Sequence, residues 1–374
     1  MTSRWPMRLI SAVLTFWFAR LGFARRKRSD EIRKVLVAHH LLLGDTILLA
    51  PLLKKLRTRF SDAQIVVTCR PAYLTLFENC PYGVTAIPFD PRNVSTFRNL
   101  YQHRGFDLAI LPGDNRFSWL ARALDARWIV AFRGANSAYK NWLIDEFRDF
   151  PIQPMAWGDL LAAQLLDGPA PKPFATGEWS SPSIGNFRLP DQPYCVLHIG
   201  ARTSLRLWAP EKWQQLIQWL EERKILPIIT SGPGEAHLIA EVDPEKRHLS
   251  YPGDLSLAEL WRLFASARFL ICPDTGVSHL AKLTGVPAVT LYGPGSAVLF
   301  GAGLFWHNSR YRAVTISDFP CRNQNLVFGR IVPWAGHCAR TTKQCASPRC
   351  MATIDVEMVS MAAKEFIQYA ASVP

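Results

Sequence analysis

One stretch decides the fold of this chain: Phe269-Leu270-Ile271-Cys272-Pro273-Asp274-Thr275-Gly276-Val277-Ser278-His279-Leu280-Ala281-Lys282-Leu283. An apolar run is followed by a short polar turn and then by helix-forming residues, which predicts a strand, a turn and a helix. The first N–H groups of such a helix lack intrahelical partners, and the positive end of the helix dipole lies there. Both features attract an anion such as phosphate, and Gly276 permits its close approach. Thr275, Ser278 and His279 add polar side chains, so the stretch predicts a site for a phosphorylated ligand.

Size and charge narrow the class of protein. The chain has 374 residues, which is enough for two domains of ordinary size, and its 49% hydrophobic and 20% charged residues are typical of a globular protein. The net charge of +13 indicates an anionic partner: nucleic acid, an acidic membrane surface, or a polyanionic glycan or lipid. Because neither an RNA-binding motif nor zinc-finger spacing is present, a membrane or lipid partner is favoured over nucleic acid.

The first 32 residues form a basic and apolar segment. Its apolar part, residues 9–19, is shorter than the roughly 20 residues needed to span a bilayer. The larger basic block, Arg25-Arg26-Lys27-Arg28, follows the apolar part, whereas a cleaved signal peptide carries its charge before it. Aromatic residues among the arginines favour a helix lying in the membrane interface, and a helix packed on the protein body is the alternative. We therefore expect a cytoplasmic protein that is peripheral on the inner face of the cytoplasmic membrane.

Strand-like and helix-like segments alternate on both sides of a proline-rich segment. This alternation predicts two Rossmann-like domains with parallel sheets, whose ligands bind at the carboxyl ends of the strands. The strands are predicted at residues 35–38, 64–69, 84–87, 107–111, 128–132, 195–199, 225–230, 269–272 and 286–292. We expect an N-terminal Rossmann-like domain over 33–166, a linker over 167–193 and a C-terminal Rossmann-like domain over 194–352. The remaining segment, 353–374, is expected to be a helix that packs back towards the N-terminal domain.

Asp45 is the candidate catalytic residue. It lies in Leu43-Gly44-Asp45-Thr46, where the loop after the first strand meets a helix. A carboxylate at the carboxyl end of a strand suits a general base that deprotonates a hydroxyl nucleophile. An aspartate here is also a good helix N-cap, and the pattern leaves both interpretations open.

Two further turns lie at the carboxyl ends of predicted strands in the second half of the chain. Residues 200–206 contain Arg202, Thr203 and Arg206, which suit a phosphate and could neutralise a diphosphate leaving group without a metal, although loop arginines are often simply solvated. In the next turn, Glu235 follows Ser231-Gly232-Pro233-Gly234. A carboxylate there suits ribose hydroxyls, and a residue that complements the helix dipole is the alternative.

Some chemistries are disfavoured. The chain has neither a P-loop nor a G-x-G-x-x-G that follows a strand, which argues against nucleotide hydrolysis and nicotinamide chemistry. Four of the eight cysteines, at positions 321, 338, 345 and 350, lie near the end of the chain without a close C-x-x-C pair. Free cytosolic thiols are therefore expected rather than zinc ligands. Trp208 and Trp213 are predicted to be core residues.

The chain resembles glycosyltransferase family 9, the lipopolysaccharide heptosyltransferases, over roughly residues 33–358. Each motif alone is weak, but their order and spacing together are specific. In chain order they are Leu43-Gly44-Asp45, the turn with Trp208 and Trp213, Ser231-Gly232 with Glu235, Asp274-Thr275-Gly276-Val277-Ser278-His279-Leu280-Ala281, Gly285-Val286-Pro287 and Leu291-Tyr292-Gly293-Pro294. The late cysteines, which end in Cys350-Met351, also resemble a tail seen in many members.

The resemblance implies a GT-B fold, in which two Rossmann-like domains face a central cleft. It implies that the domain over 33–166 binds the acceptor and that the domain over 194–352 binds the nucleotide-sugar donor. It also implies metal-independent, inverting transfer of heptose from ADP-heptose to a hydroxyl of the lipopolysaccharide core, with no cofactor. Asp45 then matches the catalytic base, next to Gly44. The donor residues are Thr203 and Arg206 at the diphosphate, Thr275 and Gly276 at the phosphate-binding helix terminus, Asp274 and His279 in the same loop, and Glu235 at the ribose. Where the well-studied members carry lysine, Arg206 replaces a point cation by a planar fork.

Two rival functions remain open at this stage. The first is transfer of another nucleotide sugar, or transfer to another cell-surface glycan. The second is a non-catalytic glycolipid- or nucleotide-binding protein on the same fold. Asp45 favours catalysis, because a binding protein needs no base at that position.

Overall fold

The computed structural model describes residues 9, 10, 13, 28–135 and 137–372. Most of the N-terminal segment that is predicted to lie in the membrane interface is therefore outside the described residues. Within the described part of the chain, no helix is both long enough and apolar enough to cross a membrane. The chain divides into two compact units: the first contains Met1–Lys172 and Asn325–Trp334, and the second contains Pro173–Gln324 and Ala335–Pro374.

The first unit is built on a six-stranded parallel sheet with the order β3-β2-β1-β4-β5-β6. Its strands are β1 (Lys34–Val37), β2 (Gln64–Cys69), β3 (Val84–Pro88), β4 (Leu108–Leu111), β5 (Trp128–Phe132) and β6 (Glu146–Arg148). The central strands are continuous apolar runs because helices cover both faces of such a sheet. The strand order reverses between β1 and β4, and α/β sheets bind their ligands beyond the carboxyl ends of the strands at such a switch point.

Short helices connect these strands. The α-helices are Leu43–Ile47, Ala50–Arg59, Val94–Tyr101, Phe117–Ala123 and Trp157–Leu165. The 3₁₀ helices are Pro71–Phe77, Pro81–Gly83 and Ala138–Lys140. The first unit also contains an antiparallel hairpin, β13 (Leu326–Val327) and β14 (Arg330–Ile331), from late in the chain. The prediction placed these hairpin residues in the C-terminal domain.

The second unit repeats the same topology. Its six parallel strands have the order β12-β11-β10-β7-β8-β9, so the switch point lies between β7 and β10. The strands are β7 (Tyr194–His198), β8 (Leu226–Ser231), β9 (Ser250–Pro252), β10 (Leu270–Pro273), β11 (Ala288–Tyr292) and β12 (Tyr311–Thr315). The helices are Ser204–Arg206, which is 3₁₀, and the α-helices Pro210–Glu221, Ala236–Val242, Leu257–Ala265, Gly276–Thr284, Ala297–Phe300, Arg349–Ala352 and Val356–Ser372. Two parallel α/β units confirm the predicted fold class.

The proline-rich segment is not a free linker. From Pro173 onwards it belongs to the second unit, where Phe174 packs on Trp306 with ring centroids 4.6 Å apart. Trp179 in the same segment is 1% exposed. The prolines prevent regular secondary structure, as predicted. The large aromatic side chains are nevertheless buried against the second unit, and this burial stabilises the position of the segment.

The last helix, Val356–Ser372, also belongs to the second unit. Val359, Ala363 and Phe366 are members of that unit's core, and the ring of Phe366 lies 6.5 Å from that of Phe269. These contacts make the helix a structural part of the second unit. That the helix also packs back towards the N-terminal domain stays a prediction.

We predict that Phe366→Ala destabilises the second unit by about 3–5 kcal/mol, because it leaves a cavity in the core. Met361, which is 59% exposed on the same helix, provides the control, and Met361→Ala should change the stability by no more than about 0.5 kcal/mol. Chemical denaturation of both variants measures the difference. Equal effects would show that the helix does not contribute its Phe366 face to a core.

Candidate functional site

The turn after β10 has the geometry predicted for an anion site. Thr275 is the N-cap of the helix Gly276–Thr284, and its side chain accepts a hydrogen bond from the Val277 N–H at 3.3 Å. Ser278 donates its hydroxyl to the Thr275 carbonyl at 2.8 Å. Thr275 and Gly276 are only partly buried, so the start of this nine-residue helix is accessible to a ligand.

Asp274 joins this turn to the turn after β7. The Arg206 Nη1 donates to the Asp274 carbonyl oxygen at 2.5 Å and lies 3.3 Å from its Oδ2. Burial raises the pKa of Asp274, and the positive charges of Arg206 and Lys282 act in the opposite direction. A Cβ on Gly295, in the turn after β11, would collide with the Asp274 carboxylate. The structure therefore brings Arg206 and Asp274 together at the switch point of the second unit.

Thr203 and Arg202 lie in the same turn but differ in their environments. Thr203 is the N-cap of the 3₁₀ helix Ser204–Arg206 and accepts from the Leu205 N–H at 3.4 Å. Arg202 is exposed. The side chain of Arg206 is 34% exposed despite its contacts with Asp274, so part of its guanidinium remains available to a ligand. Trp208 and Trp213 are buried in the core, as predicted.

His279 is buried and is held in its neutral form. Burial, followed by the charges of Lys282 and Arg206, lowers its pKa well below the usual value. Its Nδ1 lies 3.3 Å from the Nζ of Lys282, which donates to it and also to the carbonyl oxygens of Phe300 and Gly301. Lys282 was not predicted as a residue of the site. The available signal was its position one helical turn after His279, which places both side chains on the same helix face.

Glu235 lies where the turns after β7 and β8 meet. Its Oε2 accepts a hydrogen bond from the Gly232 N–H at 2.7 Å, and its side chain does not cap the following helix. A Cβ on Gly200 would overlap with the same oxygen. Gly253, in the turn after β9, has a φ of +87° and lies close to the Gly232 carbonyl. Glycine at these positions allows the turns after β7 and β8 to pack around the Glu235 carboxylate, and it allows the turn after β9 to pack on the turn after β8.

Asp45 lies in the first unit, in the first turn of the helix Leu43–Ile47 after β1. The helix begins earlier than predicted, and Leu42 is its N-cap, so Asp45 does not have the capping position that the alternative interpretation gave it. Asp45 is half-buried and Gly44 is buried. The carboxylate therefore lies beyond the carboxyl end of a strand that borders the switch point of the first sheet.

The loop that precedes Asp45 is fixed by side chains from the end of β2 and beyond. Arg70 donates from Nε to the Leu41 carbonyl at 2.8 Å and from Nη2 to the His40 carbonyl at 3.2 Å. Thr68 accepts from the His39 N–H and donates to its carbonyl, both at 2.7 Å. Burial lowers the pKa of His39 to about 3, so its ring is neutral. Arg70 was not predicted as a residue of the site, because its acceptors are backbone atoms that leave no sequence pattern.

The late cysteines form one cluster in the second unit. Cys321, Cys338, Cys345 and Cys350 line a cavity of about 280 Å³ together with Arg340. All eight cysteines of the chain are free thiols. Within the described ranges, no group of three or more His, Cys, Asp or Glu side chains is arranged to hold a metal ion.

Comparison with known proteins identifies the family. Residues 94–328 match the model of glycosyltransferase family 9 (heptosyltransferase). Lipopolysaccharide heptosyltransferase 1 of Pseudomonas aeruginosa is 28% identical over 185 residues, which is 45% of this chain and 48% of that protein. The chain thus matches about half the length of this curated relative.

Solved structures extend the likeness to most of the chain. A glycosyltransferase family 9 protein from Veillonella parvula aligns with a TM-score of 0.71 and 16% identity, covering 91% of this chain and 99% of that one. ADP-heptose lipopolysaccharide heptosyltransferase II of Escherichia coli aligns with a TM-score of 0.69 and 16% identity, covering 91% of this chain and 100% of that one. These alignments confirm the predicted GT-B fold. Since the family model matches well over half of the sequence, the chain belongs to glycosyltransferase family 9, the heptosyltransferase family.

Proposed function

We propose that this protein transfers a heptose from ADP-heptose to a hydroxyl of the lipopolysaccharide inner core, with inversion and without a metal. One observation carries the proposal: Arg206 is fixed by Asp274 beside an accessible helix N-terminus at the switch point of the second sheet. A guanidinium and backbone N–H groups together suit a diphosphate. The solved E. coli relative whose name includes ADP-heptose supports this choice of donor.

The second unit is assigned the donor. Arg206, Thr203 and the N–H groups at Thr275 and Gly276 would hold the diphosphate, and Glu235 would accept hydrogen bonds from the ribose hydroxyls. Asp274 and His279 act through their neighbours: Asp274 orients Arg206, and His279 accepts from Lys282 on the buried side of the phosphate-binding helix to which both belong. These groups are fixed before the ligand arrives, so the developing charge of the leaving group meets donors that need no reorganisation.

The first unit is assigned the acceptor and the base. In the proposed step, Asp45 takes the proton of the acceptor hydroxyl while that oxygen forms a bond to the anomeric carbon of the heptose. The bond from the anomeric carbon to the diphosphate oxygen breaks at the same time, and its electron pair leaves with ADP. Attack from the face opposite the leaving group inverts the configuration.

Charge on the first unit suits an anionic acceptor. After β4 and β5, Arg116 and Lys140 both form ion pairs with Asp114. Burial acts to raise the pKa of Asp114, but hydrogen bonds from Arg116 and the two positive charges outweigh it and hold the pKa below the usual value. Two cations that share one carboxylate leave a net positive charge at this edge. The chain's net charge of +13 likewise supports a place on an acidic membrane surface, which we include in the proposal.

The decisive experiment presents the purified protein with ADP-heptose, and separately with UDP- and GDP-sugars, together with inner-core lipopolysaccharide from a strain that lacks heptosyltransferase activity. Transfer from ADP-heptose alone supports the proposal. Transfer from another nucleotide sugar would establish the first rival function. Binding of nucleotide without transfer from any donor would establish the second, a non-catalytic protein.

We predict that Asp45→Asn retains ADP binding but lowers kcat by about 10²–10⁴-fold, because the amide cannot accept the hydroxyl proton. Calorimetry with ADP and steady-state kinetics measure the two properties. The matched control is Asp62→Asn, which alters an exposed aspartate in the turn before β2 and should leave both unchanged. Near-normal turnover of Asp45→Asn would contradict the assignment of the base.

We predict that Arg206→Gln weakens ADP binding roughly tenfold or more, since a charge-assisted hydrogen bond contributes about 1.5–3 kcal/mol. Arg247→Gln removes an exposed arginine of the same unit that is paired with Glu245, and it should have no effect on ADP affinity. If calorimetry gives the same ADP affinity for both variants, Arg206 does not contact the diphosphate.

We predict that Gly200→Ala also weakens ADP binding, by roughly tenfold, which corresponds to about 1.4 kcal/mol. The added methyl group would displace the Glu235 carboxylate from its position at the ribose. Gly185→Ala provides the control, because a Cβ there meets no atom within 4 Å and its backbone is compatible with alanine. The proposed role of Glu235 fails if Gly200→Ala binds ADP and adenosine as well as the control does.

A further inference from the structure

A hairpin from late in the chain completes the first unit. The chain leaves the second unit after Gln324, forms β13 and β14 within the first unit, and returns at Ala335. We call residues Leu326–Ile331 the clamp hairpin. Two of its side chains, Phe328 and Arg330, anchor it to the loops at the carboxyl ends of the first sheet.

The turn of the clamp hairpin holds a strained residue. Phe328 and Gly329 have φ angles of +46° and +77°, as a two-residue type I′ turn requires. A bulky residue with positive φ is rare and persists only where its surroundings fix it. Here the Phe328 ring stacks on Trp157 with centroids 4.8 Å apart. This packing holds the neighbouring Arg330 in register with the loops.

Arg330 is 3% exposed and uses every donor that a guanidinium has. Its Nε donates to the Arg133 carbonyl at 3.0 Å. Its Nη1 donates to the carbonyls of Gly113 at 2.9 Å and Phe328 at 3.1 Å. Its Nη2 donates to Asn115 Oδ1 at 2.6 Å and to the Phe132 carbonyl at 3.4 Å. Burial lowers its pKa to about 10, which leaves the guanidinium charged at neutral pH.

Asn115 extends this network. It is completely buried, and its Nδ2 donates to the Phe132 carbonyl at 2.9 Å and to Asn141 Oδ1 at 2.8 Å. Arg330 and Asn115 together therefore hold the loop after β4 and the loop after β5 in one arrangement. Arg116 follows Asn115 directly, and Lys140 precedes Asn141, so each of these two cations is next in sequence to a residue that the network fixes.

We propose that Arg330 is a positioning residue for the acceptor. Through Asn115 and the carbonyls of the two loops, it holds Arg116 and Lys140 where they meet an anionic group, a carboxylate or phosphate, on the acceptor. This inference rests on the proposed function, because that function assigns the acceptor to the first unit. Arg330 acts through other residues and takes no part in the chemical step.

Arg122 provides a matched control within the same unit. It is also a buried guanidinium, which donates to the carbonyls of Ala126, Arg127 and Leu143 and pairs with Asp145. These partners precede β5 and β6, so Arg122 fixes the amino ends of the strands, whereas Arg330 fixes loops at the carboxyl ends. Replacing either arginine by lysine keeps the charge but removes the planar set of donors.

The test measures steady-state kinetics of Arg330→Lys and Arg122→Lys with ADP-heptose and inner-core lipopolysaccharide from a heptosyltransferase-deficient strain. We expect Arg330→Lys to raise the acceptor KM by about tenfold or more. Its kcat and donor KM should stay within about twofold of wild type. Arg122→Lys should lower the melting temperature but leave the acceptor KM unchanged. An unchanged acceptor KM in Arg330→Lys, or equal changes in both variants, would overturn the proposal.

Two further measurements test the positioning role of Arg330 even if Arg330→Lys does not fold or if the protein does not transfer heptose. If Arg330→Lys does not fold, Asn115→Ala replaces it as the test, because it interrupts the same network without removing a charge and should also raise the acceptor KM. Equilibrium binding of the lipopolysaccharide needs no turnover. If wild type binds it without transferring heptose, the proposed reaction fails, and weaker binding by Arg330→Lys than by Arg122→Lys still supports the positioning role. If wild type does not bind it, both proposals are wrong.

Discussion

The candidate donor site depends on one buried carboxylate. Asp274 is almost completely buried, contacts Arg206 from the turn after β7, and occupies the space that a side chain on Gly295 after β11 would need. Burying a charge costs free energy that a single partner often does not recover, so this pair is weak evidence for a contribution to stability. The contacts of Asp274 instead fix three turns from separate parts of the sequence relative to one another. The candidate anion site at Thr275 and Gly276 lies in the middle one of these three turns, after β10.

Much of this architecture could be predicted from the sequence because parallel sheets leave a strong pattern. β4 and β10 are continuous apolar runs that are buried along their whole length, and each is followed by a polar turn. Short strands at or near the edges of the sheets were missed. β6 and β9 are three residues each and only partly buried, so they carry no distinct hydrophobic run. The fold class and the family could be predicted from the buried apolar strands and the turns that follow them, without the short strands β6 and β9.

The parts of the site that could not be predicted are held by backbone atoms. Arg330 lies roughly two hundred positions from most of its acceptors, which are carbonyl groups that any residue possesses. Arg70 and the neighbours of Glu235 follow the same rule. Residues 325–334 belong to the first unit, although the prediction placed them in the C-terminal domain. Nothing in their composition distinguishes them from the neighbouring residues of the second unit. Sequence motifs identify the side chains that are candidates to contact a ligand. The residues that position those side chains can be identified only from the structure.

Steric exclusion completes the positioning in the second unit. Glu235 fits because Gly200 and Gly232 have no side chains, and Asp274 fits because Gly295 has none. Hydrogen bonds alone would allow these carboxylates to rotate or shift. Close contact with the backbone of the neighbouring turns restricts that movement. A glycosyltransferase that works without a metal must stabilise its leaving group with groups already in place, because no bound cation can compensate for a misplaced donor. Glycines in the turns of the site are therefore as much a requirement of the proposed mechanism as Arg206 and Asp45, although they contribute no functional group.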